Sequence, residues 1–176
     1  MIETLISSKT RVKLLLKFFL NSNTTAYLRS LESEFGESSN SIRVELNKFE
    51  DAGMLSSSVK GNKKVFKANV EHPLFKEIHS IILKYIGIDQ VVEKVIERLG
   101  SVEKVYLAGK FARGIDSKII DLVFIGDVDK NYLVELVEKV EEVISRKIRY
   151  LVYLNEEDDR MDWNSFDSKP LLLWSK

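Results

Sequence analysis

The chain has 176 residues, 44% of them hydrophobic and only two of them proline, a composition that points to a folded globular protein of one large domain or two small ones. It contains no cysteine, which excludes disulfides, zinc–thiolate sites and thiol catalysis. The formal net charge is zero but unevenly spread: residues 1–86 carry 13 Lys/Arg against 9 Asp/Glu, a net of +4, and residues 87–176 carry 14 against 18, a net of −4. That asymmetry suggests a basic module that meets phosphate, joined to an acidic module with another task. No apolar run approaches the roughly 20 residues of a membrane span. The opening MIETLISSKTR has no charged start, apolar core or cleavage site of a signal peptide. A cytoplasmic protein with no membrane contact is expected.

Along the N-terminal half, Val12, Leu15, Leu16, Phe19 and Leu20 have helical spacing and predict a helix over 10–20. Asn21, Ser22 and Asn23 break it. Thr24 is placed to cap a second helix whose buried side is Ala26, Tyr27, Leu28, Leu31 and Phe35, ending at Gly36. After a short turn, Ser38 or Ser39 caps a third helix bearing Ile42, Leu46 and Phe49, closed by Gly53. Two helices joined by so short a turn have helix-turn-helix geometry. Residues 55–59 and 64–70 then read as two strands around Lys60-Gly61-Asn62-Lys63, a β-hairpin with a basic tip at Lys60, Lys63 and Lys64.

These elements together predict a winged helix-turn-helix that binds double-stranded DNA. The third helix is the expected recognition helix, with Ser38, Ser39, Asn40, Ser41, Arg43, Asn47 and Lys48 at its start and outer face. Short polar groups at a helix start can bond phosphates, Arg can read guanine and Asn can read adenine. Lys60, Asn62, Lys63 and Lys64 on the wing would touch the backbone of the duplex. The competing reading of each residue is an ordinary solvated side chain, and of the whole domain a winged helix used for protein contacts.

In the C-terminal half, Pro73 precedes a linking helix to residue 86 with Leu74, Ile78, Ile81, Ile82 and Tyr85 or Ile86 on its stripe. Gly87 breaks it, and residues 88–99 predict a further helix with Val91, Val92, Val95, Ile96 and Leu99. VEKVYLAG, IIDLVFIG and IRYLVYL read as strands, with a helix over 130–144 between the last two. The order α-β-β-α-β is that of a small α/β layer domain. The EEDD run at 156–159 reads as solvated loop, and Trp163 and Trp174 as core or interface residues. His72 and His79 are too isolated for a metal pair.

Residues 107–126, LAGKFARGIDSKIIDLVFIG, resemble the minimal nucleotidyltransferase fold, whose signature is a strand, Gly-Ser, an Ala-Arg-Gly-like loop and a strand bearing Asp-x-Asp. Such a site holds two Mg²⁺ ions on a nucleotide triphosphate with two or three carboxylates from adjacent strands. Gly109 matches the glycine, Lys110 stands in place of the serine, and Phe111, Ala112, Arg113 and Gly114 match the loop. Ile119 stands in place of the first aspartate and Asp121 matches the second. Residues 119, 121 and 123 share a strand face, and residues 149–153 of the next strand hold no carboxylate. Asp116, Asp127 and Asp129 fall in loops or strand ends. Lys110 is expected in solvent or paired with Asp121 or Asp116, and Arg113 on loop carbonyls or on a ligand.

With the segment Ala68-Asn69…His72-Pro73-Leu74-Phe75, residues from about 8 to 158 resemble the bacterial ArsR-like regulators fused to a nucleotidyltransferase-like domain. The expected fold class is α+β, a winged helix-turn-helix domain followed by a small α/β nucleotidyltransferase-like domain. The expected division is 1–72, a linking helix at 73–87, and 88–176. The expected function is a DNA-binding transcriptional regulator acting as a homodimer, its second domain serving assembly, sensing or a protein partner. Gly109, Lys110, Arg113, Gly114 and Asp121 form a degenerate nucleotide site that takes a small anionic ligand. No catalytic residue, metal or cofactor is expected, and hence no enzyme. Two alternatives stay open: an active nucleotidyltransferase modifying a partner in a toxin–antitoxin pair, and a nucleotide sensor without catalysis.

Overall fold

A computed structural model describes residues 5–98, 100–158, 162–163, 166 and 168–176. The fold is mixed α and β, and the chain divides into two compact units, Met1–Tyr85 and Ile86–Lys176. Among the described residues no helix is long and apolar enough to cross a membrane.

The first unit opens with α1 (Lys9–Leu15), capped by the Ser8 hydroxyl, which accepts from the Arg11 amide. It continues as a π-helical turn over Leu16–Leu20, in which all five side chains are buried. One of them is a lysine: Lys17 Nζ lies 2.8 Å from Glu34, so its charge is paired where water is excluded. β1 (Thr25–Tyr27) follows, then α2 (Leu28–Phe35), α3 (Ser39–Asp51), β2 (Leu55–Lys60) and β3 (Lys63–Ala68). The expected start of the second helix at Thr24 is therefore corrected. Residues 25–27 pair antiparallel with Lys67, Phe66 and Val65 and form the outer strand of a three-stranded sheet ordered β1-β3-β2. The extended run Thr24-Thr25-Ala26-Tyr27 has two β-branched residues and an aromatic, which suit a strand, and the helix begins only where Leu28 starts its turn. Gly36, at φ +63°, ends α2 in the left-handed region.

The hairpin closes Lys60 on Lys63 around Gly61-Asn62, with Gly61 at φ +59°. A glycine at the first central position is what a two-residue type II′ turn requires. Leu14, Phe18, Phe19, Leu31, Ile42 and Leu46 form the core of this unit. Phe19 also packs on Phe49 and Phe75, and α4 (Phe75–Ile86) is anchored there by His79 Nδ1, 2.6 Å from the Phe19 carbonyl. His72 accepts from the Leu74 amide through Nδ1. Both histidines therefore serve backbone contacts, His72 a local one and His79 one from α4 to the π-helical turn.

In the second unit, α5 (Ile88–Arg98) leads into β4 (Gly100–Ala108), the one-turn α6 (Gly109–Ala112), β5 (Ile119–Val128), α7 (Lys130–Ile144), β6 (Lys147–Tyr153), α8 (Asn155–Asp158) and β7 (Leu171–Ser175). The sheet order is β6-β5-β4-β7, with β5 and β6 parallel and the other neighbours antiparallel. β7 adds an edge strand that the sequence reading lacked. It pairs Trp174 with Val105, so Trp174 belongs to the sheet. α8 puts residues 155–158 in a helical turn where a loop was expected. Leu99 and Asp159 lie outside the described residues, as do the side chains of Val95 and Ile96. Alternation along β5 sends Ile120, Leu122 and Phe124 to the helix-covered face with Val105, Leu107, Leu133 and Val140, all buried. Asp121, Val123 and Ile125 go to the opposite face.

Candidate functional site

Two concave places carry the residues singled out in the sequence, one in each unit. In the first unit, α3 and the β2–β3 hairpin border a groove of about 860 Å³. It is lined by Ser39, Arg43 and Asn47 from α3, by Asn62, Lys63 and Lys64 from the hairpin, and by Tyr27, Arg29 and Glu32 from β1 and α2. Ser38, Asn40, Ser41, Lys48 and Lys60 do not line it.

Local bonding sorts these polar residues. Ser38 is the N-cap of α3 and accepts from the Ser41 amide at 3.2 Å. Ser39 donates to Glu32. The Ser41 hydroxyl lies 2.9 Å from that of Thr10. The serines at the helix start thus hold α3 to α1 and α2. Lys48 reaches Glu45 at 3.5 Å, and Glu45 is gripped by Arg11 at 2.8 Å. Burial pushes the Glu45 carboxyl up, but hydrogen bonding and charge from Arg11, with Lys48 and Ser8, bring it below its ordinary value. Lys64 is bound to Glu50 at 2.6 Å, and Ser57 also donates to Glu50 at 2.5 Å. The Lys64 bond above all holds Glu50 low. Lys63 Nζ sits over the Tyr27 ring at 4.2 Å, a cation–π contact that holds the ammonium against the groove wall.

Asn40, Arg43, Val44 and Asn47 are exposed on the outward face of α3. Arg29 is the groove residue that the sequence reading missed. It lines the groove from the first turn of α2, where a lone arginine on a short helix carries no motif signal. Positive charge from α2, α3 and the hairpin tip thereby shares one concavity with the amide groups of Asn47 and Asn62.

In the second unit, β4 ends at Ala108, which pairs with Asp121 of β5. Gly109 follows at φ +61°, and a Cβ there would lie 2.3 Å from Asp121 Oδ2. The glycine is required twice, by its backbone and by the carboxylate beside it. Of the two places expected for Lys110 the structure takes solvent, and arginines pair with Asp121 and Asp116 instead. Asp121 Oδ1 accepts from Arg149 Nε at 2.7 Å and lies 2.6 Å from Nη2 in the same ion pair. Asp116 accepts from Arg146 at 2.7 Å. The parallel register sets Asp121 directly opposite Arg149, so an arginine reaches the carboxylate from the neighbouring strand. Arg146 also bonds the Ser117 carbonyl and lies over the Phe111 ring, tying the loop after α6 to the start of β6.

Val123, Ile125 and Ala108 form a buried apolar cluster on the same sheet face, with Tyr106, Tyr153 and Phe166 packed against it. Trp163 lies on Tyr106 and Phe166, and Ser168 donates to the Gly109 carbonyl at 3.4 Å. What remains open is a cleft of about 480 Å³ lined by Ala108, Gly109, Asp121, Val123, Arg149, Leu151 and Phe166. Of the residues carried over from the family motif, Gly109 and Asp121 reach this cleft. Lys110 and Arg113 are exposed elsewhere on the loop, and Gly114, at φ +70°, closes its turn. Asp129 is the N-cap of α7, accepting from the Asn131 and Tyr132 amides.

No protein-family model and no curated protein matches the chain. Two solved structures are similar in part. AF1382 from Archaeoglobus fulgidus is 15% identical, with a TM-score of 0.39, over 56% of this chain and 99% of that one. A protein named "putative nucleotidyltransferase" from Sulfolobus solfataricus is 25% identical, with a TM-score of 0.37, over 56% of this chain and 86% of that one. At these scores neither likeness carries an activity to this chain. The expectation that the chain is no enzyme is withdrawn: the second of these neighbours is named as a nucleotidyltransferase.

Proposed function

We propose that the protein is a DNA-binding transcriptional regulator of two modules: residues 1–72, a winged helix-turn-helix; 73–87, a linking helix; and 88–176, a nucleotidyltransferase-like module. The observation that carries this reading is the groove that gathers Arg29, Arg43, Asn47, Asn62 and Lys63 from three elements. The order helix, strand, helix, helix, hairpin supports it, as does the short α2–α3 turn at Gly36. In this arrangement α3 enters the major groove of the duplex. Arg43 is suited to guanine O6 and N7, Asn47 to adenine, and the exposed Val44 to a thymine methyl. Lys63 and Arg29 meet phosphates on either side, and the net charge of +4 on this half favours association. The protein acts as a homodimer, since two half-sites multiply a modest single-site affinity. Leu74, just before α4, and Ile81 on it leave apolar surface for that contact.

Fluorescence anisotropy on the DNA upstream of the protein's own gene, against a scrambled duplex and across a salt series, tests this. The native fragment should bind more tightly, with affinity falling steeply in salt. Lys63→Ala should weaken both duplexes alike and reduce the log–log salt slope by about 1, while Arg43→Ala should relax specificity at a cost of about 1–3 kcal/mol. Failure of both duplexes to bind at low salt would turn the domain into a protein-contact module.

A further inference from the structure

We propose that the cleft on the open face of the second sheet binds a free α-amino acid with an apolar side chain. One end of the cleft presents an arginine and an aspartate side by side, Arg149 on β6 and Asp121 on β5. Their hydrogen bond, from Nε, and their closest ion-pair contact, from Nη2, fall on the same oxygen, Asp121 Oδ1. Asp121 Oδ2 and Arg149 Nη1 make no hydrogen bond among the described residues. The Arg149 side chain is 69% exposed and that of Asp121 22%, so both present surface while paired. The other walls are mostly apolar, with Ala108, Leu122, Val123, Leu151 and Phe166 among them and Tyr150 as the further polar side chain.

This charge pattern selects among ligands. A simple anion drawn to Arg149 would meet the charge of Asp121, and a simple cation drawn to Asp121 would meet that of Arg149. A zwitterion satisfies both, its carboxylate on Arg149 Nη1 and its ammonium on Asp121 Oδ2, because like-charge contacts penalise the alternatives. The apolar walls then receive the side chain, and about 480 Å³ is ample for one amino acid. Gly109 leaves Oδ2 its place, since any Cβ there would displace it. In the free protein the two charges satisfy each other, so the empty cleft holds no uncompensated charge. The inference stands apart from the DNA-binding reading, and its test uses no DNA.

The test is titration calorimetry on the full chain, paired with ligand-observed saturation-transfer NMR. The ligands are L-leucine, L-phenylalanine, 3-phenylpropanoate, which lacks the ammonium, and phenethylamine, which lacks the carboxylate. One of the two amino acids should bind, and each truncated analogue should bind about tenfold more weakly or worse, as a lost charge-assisted hydrogen bond implies. Arg149→Gln should abolish the preference over phenethylamine, and Asp121→Asn the preference over 3-phenylpropanoate, with circular dichroism showing both variants folded. Silence from both amino acids in both measurements would overturn the proposal. So would equal binding of 3-phenylpropanoate, or amino-acid binding that neither substitution weakens.

Discussion

Glu45 illustrates how one side chain can hold a surface in position without belonging to it. It is buried on α3, accepts from Arg11 at 2.8 Å and 3.3 Å, and lies within 3.5 Å of Lys48. Burial alone would raise its pKa; Arg11 and then Lys48 overcome that and leave it below 4.5. A carboxylate depressed on folding contributes stability that is present above its unfolded value and lost as pH falls through the folded one. Glu45→Gln keeps the shape and removes the charge. It should lower stability at pH 7 by about 1 kcal/mol, a figure discounted because Arg11 is partly exposed. The gap between wild type and variant should close as the pH drops below about 4, read from urea midpoints at a series of pH values. A gap of constant size down to pH 3 would place the contribution in packing rather than charge.

At the scale of elements, the long periodic segments could be read from sequence and the short strands could not. The helix at 130–144 and the hairpin around Gly61-Asn62 had the strongest signals, a 3.6-residue apolar period and a two-residue glycine turn. β1 has three residues, too few for alternation to register, and it exists because Phe66 and its neighbours offer an edge. β7 likewise depends on β4 as a partner. The same dependence hid the chemistry of the second site. Asp121 is visible in sequence, but its partner Arg149 lies 28 residues away and is set only by the parallel register. Asp129 shows the reverse, a residue that looked like a stray carboxylate and is a cap. Its Oδ1 accepts from the amides of Asn131 at 3.0 Å and Tyr132 at 3.1 Å. Asp129→Ala should therefore destabilise by about 1 kcal/mol, and Asp129→Ser should recover most of it. Thermal melts of the three proteins decide this: equal losses for Ala and Ser would point to the charge rather than the cap.

At the scale of the molecule, the chain builds two cores rather than one. Leu14, Phe18, Phe19 and Leu31 are sealed in the first unit; Val105, Leu107, Phe124 and Val140 are sealed in the second. Each core carries its own cooperative contacts, so a single two-state transition is not the expectation for the whole chain. The two tryptophans, Trp163 and Trp174, both fall in the second unit. Tryptophan fluorescence therefore follows the second unit, while far-ultraviolet circular dichroism follows helices of both. Phe18 is fully buried, and Phe18→Leu should cost about 1–3 kcal/mol. In a urea titration the variant should shift part of the dichroism change to lower denaturant and leave the fluorescence midpoint where it was. If the fluorescence midpoint moves by the same amount, the cores unfold as one. A ligand held in the cleft would then raise the stability of the first unit as well, by the linkage that couples any native-state ligand to its cooperative unit. With independent transitions, an amino acid in the cleft would raise the fluorescence midpoint alone. The dichroism change of the first unit would then keep its midpoint whether the cleft is filled or empty.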